Sequence, residues 1–464
     1  MPNRARVNQN PKTLHIVLNA VTEDSRVLKC AWSLGNAGWD VVVAGASPFA
    51  HKDQFTIGHA RIVRLPLKVV ITREQFPSFL QRYVMRDDAI WLIVGILRRL
   101  RRYRRKFATK IKFKIKFKSK AKSKAKSEAG VPNLKRAVKA ITPIALEFKP
   151  DLIHAHDYTA LPIAGAIVEM LRLNGHKSKL IYDAHEYVPG VAHLTPPLAA
   201  LYTKNERKYS KQSAAILSVS DPMNDLLVDH LQIKNRPIVV ANDPLVDGQE
   251  PAQRNLRQDI KIDPDIPLMV YSGAVAPQRG IQTALAALHQ LPGVHLVLIA
   301  NPQNATVQGL VEKAKELKER FHVVPYVPNS ELVSYLSTAD IGLIPIVHRL
   351  NHEISLITKF GEYMQARLPI LVSDVKTMSE EVNRLKNGEV FIAEDVDDFV
   401  RAARLILSDP AKYRATYTPE VLAERSWERQ AEVLVDLYND IAGAAPEART
   451  HTPFLISEPE EIVS

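Results

Sequence analysis

Short apolar runs alternate with helix-length amphipathic segments along nearly the whole chain. That alternation leaves few folds open, because it builds parallel sheets with helices on both faces. In the first half the strand candidates are His15–Leu18, Val41–Ala44, Ile62–Leu65, Leu152–His154, Leu180–Tyr182, Ile216–Ser218 and Ile238–Val240. In the second half they are Leu268–Tyr271, His295–Ile299, His322–Val324, Ile341–Ile344, Ile370–Val372 and Val390–Ile392. Helix candidates between them include Ser25–Ala37, Gly280–Leu291, Ala305–Lys318 and Asp397–Leu407. Two such runs predict two similar α/β domains. The stretch from Asn242 to Asp265 is polar, holds three prolines and has no apolar period, so it marks the boundary. The expected organisation is a first domain over 1–245, a second over 262–418, a helix over 419–443 and a tail over 444–464. In the helix, Trp427, Ala431, Leu434 and Tyr438 share one stripe. The tail is acidic and contains proline, and is expected to lack fixed structure.

The 464 residues suffice for two or three domains with substantial cores. Cys30 is the single cysteine, so no intrachain disulfide framework exists and a reducing compartment fits. The opening residues are polar and pass straight into a strand-like run. With no apolar signal-peptide segment, a cytoplasmic location is expected.

The net charge of +12 comes from one place. Residues 98–126 hold 16 Lys or Arg and no Asp or Glu, which leaves −4 (12 − 16) for the rest. This polybasic run lies in an insertion of the first domain, expected over about 76–148. Ala89–Leu97, AIWLIVGIL, precedes it and is too short to cross a bilayer, which takes about 20 apolar residues. From Lys110 to Lys126 lysines fall on every second position, first opposite Ile111, Phe113, Ile115 and Phe117. A solvated low-complexity segment explains this composition, and so does contact with an anionic membrane surface through 89–126. Each cation near such a surface contributes about 1 kcal/mol. Tyr103, Phe107, Phe113 and Phe117 would allow base stacking, but the apolar alternation suits lipid better than nucleic acid.

In open α/β sheets, ligands bind beyond the carboxyl ends of strands. At one such end, the stretch Leu356–Asp374 joins a helix to an apolar strand, with Lys359 and Glu362 three apart on one helix face. A Lys and a Glu there can grip a phosphate and a sugar hydroxyl together, whereas the plain alternative is a surface ion pair. Ser272 and Gly273 end the strand Leu268–Tyr271, and Arg279 stands where the next helix starts. Helix N-termini attract anions, and Arg279 can add a bidentate grip on phosphate. In the first half, His154, His156 and Asp157 end one strand, and Asp183, His185 and Glu186 end the next. Such His–acid clusters can ligate a metal, bind sugar hydroxyls or cap helices. Asp24, Arg26 and Lys29 precede or open a helix, where Asp24 can also serve as an N-cap.

In order and spacing these residues resemble glycosyltransferase family 4, the retaining class with two facing Rossmann-like domains (the GT-B architecture). The matching features run from about His15 to Tyr438. They are D-x-R-V-x-K at Asp24, P-D-L-I-H-A-H ending at His156, and Y-D-A-H-E at Tyr182–Glu186. They continue with Y-S-G…R-G at Tyr271–Gly280, A-D-I-G-L-I-P at Ala339–Pro345, K-F-G-E-Y-M…L-P at Lys359–Pro369 and S-W-E-x-Q at Ser426–Gln430. The resemblance implies a nucleotide-diphosphate sugar donor held mostly by the second domain, and a C-terminal helix crossing back to the first. It makes His156, Arg279 and Lys359 the catalytic candidates. Ser272, Gly273, Arg279, Lys359 and Glu362 become the donor-binding set, with Glu362 on the ribose hydroxyls. Asp24, Arg26, His185 and Glu186 fall on the acceptor or sugar side. No metal or other cofactor is expected, since basic side chains carry the phosphate charge. Taken with the insertion, the expected acceptor is lipid-linked or part of a cell-surface polysaccharide.

The chain departs from the family pattern in places. Ile354, not Glu, stands eight positions before Glu362, and Glu353 misses by one. Ala274 stands where many members have Arg, and Asn301 and Arg367 replace expected glycines. These departures keep two other readings open: an inactive nucleotide-sugar-binding module and a nucleotide-sugar epimerase.

Overall fold

The computed structural model describes residues 10–67 and 134–462. The apolar and polybasic stretch over 89–126 lies outside the described residues. Among those described, no helix is long and apolar enough to cross a membrane.

The first domain carries strands β1 (Lys12–Ile16), β2 (Asp40–Ala46), β3 (Asp53–Ile57), β4 (Ala60–Leu65), β5 (Leu152–His156), β6 (Lys179–Asp183), β7 (Ser213–Ser218) and β8 (Ile238–Val239). The second carries β9 (Leu268–Ser272), β10 (His295–Ile299), β11 (Phe321–Val324), β12 (Ile341–Ile344), β13 (Ile370–Ser373) and β14 (Gly388–Phe391). A last short strand, β15 (Glu460–Glu461), returns to the first sheet. The strand orders are β15-β3-β4-β2-β1-β5-β6-β7-β8 and β11-β10-β9-β12-β13-β14. The second sheet is parallel throughout, and in the first only the pairs made by β3 are antiparallel. Strands such as β5 and β9 are buried at every residue, as parallel strands covered on both faces must be. Apolar clusters line each face of each sheet. These are the two Rossmann-like α/β domains that the alternation predicts.

Strand order places the sites. In the first sheet the chain reverses direction of growth between β1 and β5, and in the second between β9 and β12. Crevices open beyond the carboxyl ends of strands at such points.

Several expectations change. The insertion does not reach Phe148, because Leu134–Phe148 is a helix of the first domain. It buries Ala137, Ile141 and Ala145, spaced four apart on one stripe. The helix expected over Gly280–Leu291 is shorter, Ile281–Ala287. The helix expected over Ala305–Lys318 is α-helical only to Lys313 and then tightens into a 3₁₀ turn. The tail expected to lack structure is strapped to the first domain. Arg449 N donates to Asn36 O (2.8 Å), Trp32 Nε1 to Thr452 O (2.9 Å), and β15 pairs with β3. The physical reason is the unpaired edge of β3, which offers backbone groups that the tail satisfies.

The Trp427–Ala442 helix lies on the first domain. Trp427, Leu434 and Tyr438 are buried in its core, and Trp427 Nε1 donates to Ser33 Oγ (2.9 Å).

Candidate functional site

Loops from the carboxyl ends of both sheets touch. Ser220 Oγ donates to Ile354 O, and Asn242 Nδ2 to Thr358 Oγ1 (3.2 Å). Ile354 is 7% exposed and packs into the first domain's apolar cluster. The residue at the expected position of a sugar-contacting Glu is thus an interdomain contact. Glu353 is engaged elsewhere: His348 Nδ1 pairs with its Oε1 (2.6 Å), and Lys376 N donates to its Oε2 (2.8 Å).

On the second-domain side the loop after β9 is shaped by two glycines. Gly273 has φ +111, and a Cβ there would lie 2.5 Å from Lys359 Nζ. Gly280 has φ +67, and a Cβ there would lie 1.6 Å from Pro345 O at the end of β12. Both positions favour glycine for conformation and space. Arg279 ends the Pro277–Arg279 3₁₀ turn. Lys359 opens the first turn of the Thr358–Gln365 helix, with its ammonium 5.0 Å from the centre of the Tyr271 ring. Burial lowers the Lys359 pKa to about 8; Glu362 opposes this and Arg279 adds to it. Arg279 also acts on Tyr271. The structure therefore sets Lys359 over the Tyr271 ring beside Gly273, with Arg279 on the same loop and near enough to act electrostatically on both. Among the described residues, neither cation makes a side-chain hydrogen bond or ion pair. Two unpaired cations, one of them largely desolvated, form a place for an anion.

Glu362 is half-buried one turn further along. Burial raises its pKa, against the pull of Lys359 and then Lys29. No ion pair joins Lys359 to Glu362, so the plain surface-pair alternative does not hold.

On the first-domain side a cavity of about 280 Å³ opens beyond β1, β5 and β6. Its wall includes Asp24, His156, Asp157, Tyr158, His185 and Tyr202. Behind it lies a buried polar network centred on Asp183. Arg26 grips Asp183 through Nε (2.8 Å) and a terminal nitrogen (2.7 Å), and donates to Val240 O (2.6 Å). Burial works against the Asp183 charge, yet Arg26 and His185 hold its pKa well below the usual carboxylate range. Arg26 is 3% exposed, so it is a structural partner of Asp183 rather than a group for the acceptor or sugar.

His156 also differs from expectation. It is fully buried; its Nε2 meets His15 Nδ1 (2.9 Å), and its Nδ1 faces His185 Nε2 and Asp183 Oδ2 (both 3.4 Å). Burial, reinforced by His154, lowers its pKa to about 3, so the ring is neutral. It forms part of the wall, but both nitrogens point at protein. His185 and the exposed His193 are the cavity imidazoles left for a ligand, and of the two His185 is tied to the Asp183 network. Its Nε2 pairs with Asp183 (3.2 Å), its Nδ1 has no partner among the described residues, and its side chain is 19% exposed. Burial opposes its charge, but Asp183 raises its pKa overall.

Asp24 does two things. Its carboxylate caps the Ser25–Asn36 helix by accepting from Val27 N (3.2 Å), and it lines the cavity. Glu186 is exposed and outside the cavity wall. Asp157, noted in the sequence only as part of a cluster, sits at φ +69 with Oδ1 accepting from Tyr158 N (2.8 Å). Burial pushes its carboxyl up to about 7. A left-handed Asp at a strand–helix junction is a strained position of the kind that clusters at functional sites. Tyr438 was legible only as an apolar stripe residue, yet its hydroxyl meets His154 Nδ1 (2.6 Å) and His15 Nε2 (3.2 Å).

Two triplets, His15–His154–His156 and His156–Asp183–His185, have ligand atoms close enough to share a metal ion. Arg26 already balances the Asp183 charge, and hydrogen bonds link the rings.

Comparison with known proteins agrees with this two-domain fold. A model described as "Glycosyl transferase 4-like domain" matches residues 25–243, and one described as "Glycosyl transferases group 1" matches residues 252–420. The 2-deoxystreptamine glucosyltransferase of Streptomyces kanamyceticus is 25% identical over 295 residues, covering 60% of this chain and 72% of that one. The alpha-maltose-1-phosphate synthase of Mycolicibacterium smegmatis is 24% identical over 346 residues, covering 67% and 86%. Among solved structures, sucrose-phosphate synthase from Thermosynechococcus elongatus superimposes with a TM-score of 0.69 at 17% identity, covering 94% of this chain and all of that one. Anabaena HepE in complex with UDP-glucose gives a TM-score of 0.63 at 11% identity, covering 92% and 99%. Two sheets with a site at each topological switch, matched in order by both family models, place this chain in the glycosyltransferase family 1/4 superfamily as a nucleotide-sugar-dependent glycosyltransferase of GT-B architecture.

Proposed function

We propose that the chain is a retaining glycosyltransferase that holds a nucleotide-diphosphate sugar on the second domain and an acceptor in the first-domain cavity. Arg279 and Lys359 take the diphosphate, with Ser272 and Gly273 beneath it, and Glu362 takes the ribose hydroxyls. The observation that carries this reading is the Lys359 ammonium held over Tyr271 against Gly273, without a side-chain hydrogen bond or ion pair among the described residues and within electrostatic reach of Arg279. As the sugar–phosphate bond breaks, charge builds on the leaving diphosphate, and fixed cations in a site that excludes water stabilise it. The same cations do the work a metal would otherwise do, so turnover is expected to survive chelation. His185, supported by Asp183, faces the sugar, while Asp24 and Asp157 offer acceptors to hydroxyls in the cavity.

The acceptor in this reading is lipid-linked or a cell-surface polysaccharide, and the enzyme works in the cytoplasm against the inner membrane face. Support comes from the sequence, where the apolar and polybasic stretch over 89–126 follows β4 along the chain. Release of nucleotide from a panel of UDP-, GDP- and ADP-sugars, with and without membrane extracts as acceptor, tests the reading. Release stimulated by extract supports it; release indifferent to every acceptor removes the acceptor assignment.

One observation favours a second reading, an inactive nucleotide-sugar-binding module: Glu353 is tied to His348 and Lys376 N, and Ile354 faces the first domain. Calorimetric binding of a nucleotide sugar with neither hydrolysis nor transfer would establish it.

A further inference from the structure

Lys29 is a buried cation that the donor and acceptor sites do not account for. It lies in the Ser25–Asn36 helix at 3% exposure. Its ammonium donates to Asp243 O and sits 4.6 Å from the centre of the Trp427 ring. Among the described residues it has no carboxylate within ion-pair distance. A desolvated ammonium with one carbonyl and one ring is poorly compensated, so its presence needs a reason.

The reason lies on the other side of the linker. Asp243 and Pro244 belong to the segment between β8 and β9. The Trp427–Ala442 helix clamps them: Trp427 N donates to Pro244 O (2.8 Å), and Gln430 Nε2 to Asp243 Oδ2 (3.1 Å). The Thr358–Gln365 helix presses on the same residues. A Cβ on Gly361 would lie 2.6 Å from Pro244 Cδ and 3.6 Å from Asp243 Oδ1. Glu362 is the next residue. Arg26, Asp243, Cys30 and Glu362 act electrostatically on Lys29, and Lys359 and Lys29 act on Glu362.

We propose that Lys29 is a positioning residue for donor binding: it fixes the Asp243–Pro244 linker against Gly361 and presents a first-domain cation to the Glu362 carboxylate. The donor helix is thereby registered on the first domain. This rests on the reading of Glu362 as the ribose ligand. Lys29 favours the ionised, hydrogen-bond-accepting form of Glu362, and burial opposes it. Removing Lys29 therefore moves the acid limb of donor kcat/KM to higher pH.

The experiment measures donor KM, kcat and the pH profile of kcat/KM on the full chain, using the nucleotide sugar turned over fastest in the panel. Lys29→Met is expected to raise KM about tenfold with kcat within about threefold, and to shift the acid limb upward. Lys29→Arg, which keeps the charge, is expected to restore the limb. In a Glu362→Gln background, Lys29→Met is expected to add less than about twofold to KM. Wild-type KM and limb in Lys29→Met, beside a damaged Glu362→Gln, would overturn the role of Lys29 alone. An unaltered donor KM in Glu362→Gln would overturn the ribose reading beneath it. Should Lys29→Met fail to fold, Gly361→Ala pushes the same helix off the linker with Lys29 in place. It must then raise donor KM, and an unchanged value overturns the proposal.

Discussion

The ammonium of Lys359 occupies the space that a side chain on Gly273 would need, 2.5 Å from an ideal Cβ. The loop after β9 and the Thr358–Gln365 helix are therefore fitted to each other before any ligand arrives. Gly273→Ala forces the ammonium aside at a backbone angle, φ +111, that L-residues rarely adopt. The expected result is a loss of about 1–3 kcal/mol in stability and at least a tenfold rise in donor KM. Chemical denaturation and steady-state kinetics check the two parts.

Lys359 also sets an alkaline limit. Burial brings its pKa down from 10.5 to about 8, so the folded enzyme loses this charge as pH rises through about 8. Donor kcat/KM is expected to fall across that range. The unfolded chain still holds the proton between about 8 and 10.5, so this group's contribution to stability rises with pH there, opposite in sign to the loss of activity. A pH–rate profile read beside a pH–melting profile separates the two effects.

His185 and His156 are expected to fail differently. His185→Ala removes a ring with one free nitrogen at the cavity, and is expected to lower kcat by about 10²-fold with a small change in melting temperature. His156→Ala removes a fully buried ring bridged to His15, and is expected to destabilise the fold by about 2–4 kcal/mol. Equal stability losses in both variants would contradict the assignment.

Arg26 and Asp183 form a buried bidentate pair between the Ser25–Asn36 helix and β6. Arg26→Ala leaves the Asp183 carboxylate buried and uncompensated, at a cost of about 3–5 kcal/mol. Urea unfolding should show that loss. Because Asp183 is held ionised in the fold, the contribution of the pair is present at neutral pH and declines as pH falls through the acid range.

The alternation of apolar runs was enough to read two parallel α/β domains, since β9, β12 and β13 are buried throughout and stand out as apolar. Strand β3, DQFTI, was missed because its alternation of polar and apolar residues leaves no apolar run, although it pairs with the adjacent β4. The tail was misread because its partners, Asn36, Asp40, Thr56 and Trp32, lie some 400 residues away, which composition does not reveal. In the candidate site, spacing at strand ends pointed to Arg279, Lys359 and Glu362 as candidates. The inward turn of both His156 nitrogens was not, because it depends on His15 and Tyr438, distant in sequence. Lys29 was seen only as part of a motif, and its burial against Asp243 becomes visible in three dimensions.

The most direct test of the central claim is the rate of nucleotide release from the preferred donor in Arg279→Met and Lys359→Met, each compared with wild type by melting temperature. Two fixed cations on the leaving diphosphate predict that each variant loses about 10²–10³ in kcat/KM while melting within a few degrees of wild type. Wild-type release rates in both folded variants would contradict the account.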